Sequence, residues 1–337
     1  MTTIDEHVPH NGSGDESSEI SATDLTTHLA AVQSNVEQVI QGKRDVVHLL
    51  VLALVCEGHV LIEDVPGVGK TTLAKALARS VNGRFGRVQF TPDLLPSDVT
   101  GMSVWNRATS TFDFRPGPVF ADILLADEIN RASPKTQSAL LEAMAERQVT
   151  TDGATHPLGS SFMVIATQNP IEHEGTYPLP EAQLDRFLMR IGVGYPQRDS
   201  ERLMLATHAG TGDGAEALQP VTSAETMAAV SEAITKIHIA PPLAEYLLDL
   251  ADATRRHRSL ALGLSPRGLL DLQRAARAQA ASQGRAFVIP DDVKALAPFV
   301  IPHRLIVSPE GTLRGIRPSD VLAEILDGVP VPRPEAR

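Results

Sequence analysis

The sequence predicts an α/β fold, a parallel sheet between helices, followed by a smaller all-helical domain. Three observations carry that prediction. Short apolar runs, "HVLIED" from His59, "RVQF" (87–90), "ADILLADE" (121–128) and "SFMVIATQNP" (161–170), each close on polar groups, the form of strands buried on both faces of a parallel sheet. Helical patterns alternate with these runs, and strand signals fade after Tyr195-Pro196. Beyond "HAGTGDGAEALQP" (208–220), apolar spacings of three and four dominate.

The elements follow in order. Residues 1–24 hold six acidic residues and no Lys or Arg, mixed with Ser and Gly, and are expected to be a disordered acidic tail. Leu25, Leu29, Val32, Val36 and Val39 then mark an amphipathic helix that Gly42 should end, and a second apolar helix runs from about Val46 to Glu57. Between the expected strands lie two hairpins, at 102–115 and at 148–157, the second turning at Asp152-Gly153. The α/β domain is therefore placed at 25–197, a linker at 198–222, a helical domain at 223–332 and a short tail at 333–337. Five helices are expected in the second domain, near 223–235, 242–257, 266–283, 290–298 and 318–326.

Composition narrows the function. With 337 residues and 42% apolar content the chain can build a sizeable core. Its longest apolar run, Leu49 to Cys56, is far short of the roughly 20 residues that span a bilayer, and with no signal peptide the expected location is the cytoplasm. The single cysteine, Cys56, sits in that run and reads as a buried thiol. A formal charge of −11 argues against a protein built to grip nucleic acid, where Lys and Arg must neutralise phosphates.

The chemistry begins at "IEDVPGVGKTTLAKAL" (62–77), where a strand meets a helix through a Pro/Gly turn. Glycines there permit φ > 0 and let phosphate oxygens approach backbone N–H groups at a helix N-terminus. The cradle comprises Asp64, Val65, Pro66, Gly67, Val68, Gly69, Lys70, Thr71 and Thr72. Lys70 would reach the β- and γ-phosphates of a nucleotide and Thr71 would place its hydroxyl on Mg²⁺. Asp64 stands where the general motif has its first glycine, which sets a carboxylate beside an anion site. "ILLADE" then puts Asp127, a candidate Mg²⁺ partner through water, and Glu128, a candidate base for the attacking water, at the carboxyl end of a strand. Asn169 closes the next strand and could orient the same water. Ser265-Pro266-Arg267 opens a helix with Ser as N-cap, fixing Arg267 where it could fold over the γ-phosphate.

With these motifs in order, the chain resembles the AAA+ ATPases, and more narrowly the MoxR family. The resemblance rests on "QFTPDLLPSDVTG", "FRPGPVFADILLADEINRASPKTQSALLEAMAE", "ATQNPIEHEGTYPLPEAQLDRF" and "SPRG", and covers about residue 25 to the end. It implies a P-loop at 64–71, a Walker B pair at Asp127 and Glu128, sensor 1 at Asn169, sensor 2 at Arg267, and an arginine finger at Arg186. It also implies an adenine seat near Val39 to Gly42, with Gln41 and Gly42 at the nucleotide, and hairpins matching the helix-2 insert and pre-sensor-1 hairpin. The expected protein is an ATP- and Mg²⁺-dependent homo-oligomeric, hexameric ring that remodels clients carrying von Willebrand factor A domains, with sheet domain and lid meeting around the nucleotide. A small-molecule kinase, a DNA-stimulated motor and a nucleotide-gated scaffold are the alternatives. "EHEG" around His173 lacks HExxH spacing and is not expected to bind zinc, and Trp105 and Phe112 are expected to pack their hairpin.

Overall fold

The computed structural model describes residues 21–159, 161–170, 175–207 and 214–332. Helices α1 (Ala22–Glu37) and α2 (Arg44–Val55) lead into β1 (Val60–Glu63), α3 (Lys70–Ser80) and β2 (Phe85–Gln89). A short α4 (Pro96–Thr100) precedes the hairpin β3 (Gly101–Asn106) and β4 (Thr111–Pro116). After β5 (Ile123–Asp127) and α5 (Pro134–Glu146) come the second hairpin, β6 (Gln148–Thr151) and β7 (Ala154–Pro157), then β8 (Met163–Gln168), α6 (Glu181–Leu184) and β9 (Met189–Ile191).

Five strands form one parallel sheet in the order β2-β5-β8-β1-β9. Side chains alternate across it with the strand period of two. Val60, Ile62, Ile123, Leu125, Met163 and Ile165 enter one core with α1–α3, while Leu61, Leu124, Ala126, Val164 and Ala166 enter another with Leu140, Leu141 and Met144 of α5. Because all five strands run the same way, every carboxyl end lies on one side. The turns that carry Asp64, Glu128 and Asn169 therefore converge there, and the residues that open the strands gather on the other.

The second domain contains α8 (Ala224–Thr235) and α9 (Pro241–Arg256), then β10 (Leu260–Leu262), α10 (Pro266–Ser282), α11 (Pro290–Val300), β11 (Ile306–Val307), α12 (Pro309–Leu313) and α13 (Pro318–Gly328), with α7 (Arg198–Thr207) before it. Its core is continuous with that of α1 and α2. The reason lies in α10, whose buried Ala275, Ala276, Ala278, Ala280 and Ala281 let neighbouring helices approach closely. Polar bonds fix the seam: Arg274 Nη1 donates to the Cys56 carbonyl at 2.9 Å, and Thr26 Oγ1 donates to the Ala281 carbonyl at 2.9 Å. Cys56 is buried, which pushes its thiol up to about 12 and keeps it unreactive.

Several expectations need correction. α1 begins at Ala22, inside the stretch assigned to the tail, because Ser21 and Asp24 form a capping box. It ends at Glu37 and not at Gly42, which instead takes φ +70° in the following turn. The stretch read as linker holds α7 and a short 3₁₀ turn, Gly214–Ala217. The sheet's fifth strand, β9, and the antiparallel pair β10–β11 in the helical domain were not expected. Among the described residues no helix is long and apolar enough to cross a membrane. Residues 1–20 and 333–337, and His173, lie outside the described residues.

Candidate functional site: a phosphate pocket at the carboxyl end of the sheet

The turn after β1 has the backbone its glycines predict. Gly67 and Gly69 take φ of +85° and +87°, and no atom lies within 4 Å of where a Cβ would stand on either. The left-handed backbone favours glycine, and the space in front of it stays open. α3 starts at Lys70 and directs its N-terminal N–H groups into that space. Lys70 Nζ donates to the Asp64 carbonyl at 2.8 Å. Burial draws its pKa below the usual lysine range, while the carboxylates of Asp64, Asp127 and Glu128 pull the other way.

A pocket of about 470 Å³ lies over this turn. Pro66, Gly67, Gly69, Lys70, Thr71 and Thr72 line one side, and Asp127, Glu128 and Asn169 line the other. The sequence's phosphate, metal and water-handling candidates thus meet in one place. Glu128 has φ +55°, a left-handed turn for a non-glycine residue, directly after β5. Its N–H donates to Thr167 Oγ1 at 2.9 Å, and that hydroxyl donates to Asp127 Oδ1 at 2.7 Å. Thr167, 1% exposed, therefore fixes both carboxyl-bearing residues. Among the described residues no three His, Cys, Asp or Glu assemble into a metal cage. The Thr71 hydroxyl and the Asp127 carboxylate are nonetheless the hard oxygen donors that suit Mg²⁺, which normally keeps waters and takes phosphate oxygens for the rest of its shell. The residues fit the ion.

Sequence reasoning missed three pocket residues, Thr167, Arg87 and Gln89. Arg87 Nη2 pairs with Asp127 Oδ2 at 2.8 Å and donates to Gln89 Oε1 at 3.1 Å, while Gln89 Nε2 donates to Glu128 Oε2 at 2.8 Å. Arg131 also reaches Glu128 Oε2, at 3.1 Å. The signal was present: Arg87 and Gln89 alternate in a run taken as buried on both faces, and a charged residue there is an anomaly to explain.

Asp64 does not line the pocket. Its Oδ1 accepts from the Val65 N–H at 2.7 Å, and Oδ2 accepts from the N–H groups of Val193, at 2.7 Å, and Gly194. The carboxylate ties the start of the turn to the segment leaving β9. Val68 also points away, packed on the core. The adenine candidates come to the same neighbourhood as Asp64. Lys43 Nζ donates to the carbonyls of Val193 and Tyr195, both at 2.6 Å, and a Cβ on Gly42 would run into Ser200 Oγ. Gln41 Oε1 is buried and has no hydrogen-bond partner among the described residues.

Arg186 and Arg267 are not brought to this pocket. Neither lines it, and no described residue of the helical domain does. Both lie near the amino end of the sheet. Arg186 Nη1 donates to the Leu141 carbonyl in a cleft shared with Glu142 and Glu146, two residues after α6 and before β9 begins. Arg267 is exposed at the start of α10 and is felt electrostatically at His59, which immediately precedes β1. The expected fold of Arg267 over its own γ-phosphate is therefore corrected. The physical reason is the alanine-faced seating of α10 on α1 and α2, reinforced by Ser265 Oγ, which donates to Asp185 Oδ2 at 3.1 Å. Asp185 also pairs with Arg304 at 3.4 Å, and among the described residues no ion pair joins it to Arg186. A cleft of about 840 Å³ lies here between α6 and the β10–β11 ladder, lined by Asp185, Ser265 and Arg304 with no glycine turn at a helix start like that of Gly67 and Gly69.

Comparison with known proteins agrees with this geometry. Residues 59–189 match the ATPase family associated with various cellular activities (AAA), and residues 252–325 match the AAA lid domain. The chain is 48% identical over 309 residues to the uncharacterized protein YeaC of Bacillus subtilis, covering 92% of this chain and 96% of that one. It is 42% identical over 310 residues to the chaperone MoxR1 of Mycobacterium tuberculosis, covering 89% and 81%, and 36% identical over 296 residues to the protein MoxR of Paracoccus denitrificans, covering 80% and 86%. A crystal structure from Cytophaga hutchinsonii, described as that of a candidate ATPase, superposes with a TM-score of 0.86 at 36% identity, covering 93% of this chain and 97% of that one. Motif, pocket and relatives lead to one assignment: the chain belongs to the MoxR family of AAA+ ATPases.

Proposed function

We propose that the protein hydrolyses ATP with Mg²⁺ inside a homo-oligomeric ring and uses the cycle to remodel partner proteins in the cytoplasm. One observation carries the reading: the phosphate pocket opens at the carboxyl end of the sheet, while Arg186 and Arg267 stand near its amino end. A copy cannot bring these arginines to its own γ-phosphate. A head-to-tail neighbour can, and a heterologous contact of that kind closes into a ring when its rotation permits.

The residues then divide the work. Backbone N–H groups from Gly67 to Thr72 and the Lys70 ammonium hold the phosphates. Mg²⁺, held by Thr71 and through water by Asp127, would neutralise phosphate charge. Glu128 takes the proton of the attacking water, Asn169 orients that water, and Arg186 of a neighbour stabilises charge that develops on the γ-phosphate. Arg267, from the same face, would read the neighbour's phosphate in place of its own. Gln41 and Gly42 would border the adenine, and the buried Gln41 oxygen is an acceptor suited to an amino group. MoxR1's description as a chaperone supports a remodelling role, and the family resemblance extends the proposal to clients with von Willebrand factor A domains.

Mixing two inactive variants tests it. Arg186→Ala lacks the finger and Lys70→Ala lacks the phosphate lysine, so mixed rings contain interfaces intact on both sides. Partial recovery of phosphate release is expected once subunit exchange is demonstrated by fluorescence transfer. A mixture that exchanges subunits and stays inactive would end the ring reading.

A further inference from the structure

We propose that Arg87 is a placeholder for the metal at Asp127: its guanidinium and a divalent cation compete for one carboxylate oxygen, and the displaced guanidinium moves to the phosphates. This rests on the nucleotide reading of the pocket for its second half only.

The register sets the contact. β2 and β5 run parallel with Gln89 opposite Asp127, and Arg87, two residues earlier, shares a strand face with Gln89. Asp127 Oδ1 is taken by the Thr167 hydroxyl at 2.7 Å, from a side chain too buried to withdraw. The other oxygen, Oδ2, is the atom Arg87 Nη2 holds at 2.8 Å, so a cation whose hydration shell takes that oxygen meets the guanidinium there.

A guanidinium cannot relieve the conflict by losing its proton. It must move, and it can, because β2 is an edge strand and the Arg87 side chain is 47% exposed. The pocket it lines is the one that presents Gly67, Gly69 and Lys70 to an anion. Phosphate oxygens brought in with the metal are therefore the nearest new acceptors, and they accept a guanidinium as a carboxylate does, through two parallel N–H bonds. Arg87 thus neutralises Asp127 before loading and a phosphate after it.

Mn²⁺ alone is the first probe, titrated into the full chain without nucleotide and read from the electron paramagnetic resonance of the free ion. Arg87→Gln removes the competing charge and should bind Mn²⁺ about tenfold more tightly, the scale of a like charge removed from a half-exposed site. Arg87→Lys keeps that charge and should stay near wild type, and Asp127→Asn should lose the site. Equal or weaker Mn²⁺ affinity in Arg87→Gln, including no binding by either protein, overturns the proposal. The second probe is a non-hydrolysable ATP analogue at saturating Mn²⁺, for which Arg87→Gln should lose about tenfold in affinity as a charge-assisted contact disappears. Unchanged analogue affinity overturns the transfer to phosphate. If wild type binds no analogue while the Mn²⁺ result is as expected, the nucleotide reading fails and the competition at Asp127 stands.

Discussion

At the carboxyl end of the sheet the charges are half open to solvent and come from one stretch of chain, residues 64 to 169. At the amino end they are closed and come from far apart. Arg304, with a side chain 1% exposed, pairs with Asp271 at 2.8 Å and with Asp185, and Arg304 Nη2 and His303 Nε2 donate to the Phe187 carbonyl at 2.7 and 3.0 Å. These bonds hold the segment that carries Arg186 against the helix that starts beside Arg267. An open cluster can exchange its partners for a ligand, whereas a closed one can only keep its geometry. In the proposed function the first end does the chemistry, while the second holds in place the segments that carry Arg186 and Arg267.

The largest effect should come from the open end. Glu128→Gln keeps its size and its backbone turn but loses the group that accepts a proton, so hydrolysis should fall by about 10²–10⁴-fold with ATP affinity nearly unchanged. Lys70→Ala should lose binding itself. Equal loss of binding in both variants, measured with a fluorescent nucleotide, would break the division of roles within the pocket.

The closed end should respond in stability. Arg304→Ala strands Asp185 and Asp271 without their cation, and removing one partner of a buried pair costs on the order of 3 kcal/mol. Urea denaturation would show it. Arg87→Ala, which breaks an equally short pair at the open end, should cost less than about 1 kcal/mol. Similar losses in the two variants would erase the distinction between the ends.

The two ends also differ in how far they can be read from sequence. The P-loop, Asp127-Glu128 and Asn169 were legible because each lies in a contiguous string whose chemistry depends on local spacing. Thr167 was not, and Arg87 and Gln89 showed only as polar anomalies in an apolar run, since the roles of all three come from register between strands that are distant in sequence. β9 escaped notice because it is three residues long with Arg190 at its centre, and β10–β11 because two or three residues carry no periodicity. The lid's seat was equally hidden: the alanines of α10 announce a helix but do not say which helices it packs against.

Acid should weaken the closed end as well. Burial presses the pKa of His59 from 6.5 down to about 4, against the Met144 carbonyl and with help from Arg147 and Arg267. Burial, then Arg304, presses His303 down to about 3. His59 Nδ1 accepts from the Val164 N–H at 3.0 Å, so its neutral form is built into the sheet. Both rings are neutral when folded and take a proton when unfolded below pH 6.5, so their contribution is whole above that pH and is lost as pH falls toward 4 and 3. By pH 5 each should cost about 2 kcal/mol. The stability lost between pH 7 and 5 should therefore shrink in His303→Gln, and an unchanged loss would show that this ring does not report the closed end.

The smallest effect on binding should come from the residue that looks most disruptive in the sequence. Asp64 places a carboxylate at the mouth of an anion site, and through space that charge would oppose ATP. Its oxygens, however, are turned to the N–H groups of Val65, Val193 and Gly194, away from the pocket. Those donors spread the charge, and the Asp64 carbonyl, not its carboxylate, meets Lys70. Asp64→Asn keeps one acceptor oxygen but turns an amide nitrogen toward N–H donors on its other side, so it should cost about 1–3 kcal/mol of stability and change ATP affinity by less than about threefold, since a screened charge facing away contributes little. Asp64→Gly, which restores the general motif, should cost more stability because the tie to Val193 and Gly194 is gone. Isothermal titration and denaturation on both variants separate the two quantities. A tenfold gain in ATP affinity in Asp64→Asn would show that the carboxylate acts on the phosphates after all, and that the open end tolerates an opposing charge in place of turning it aside.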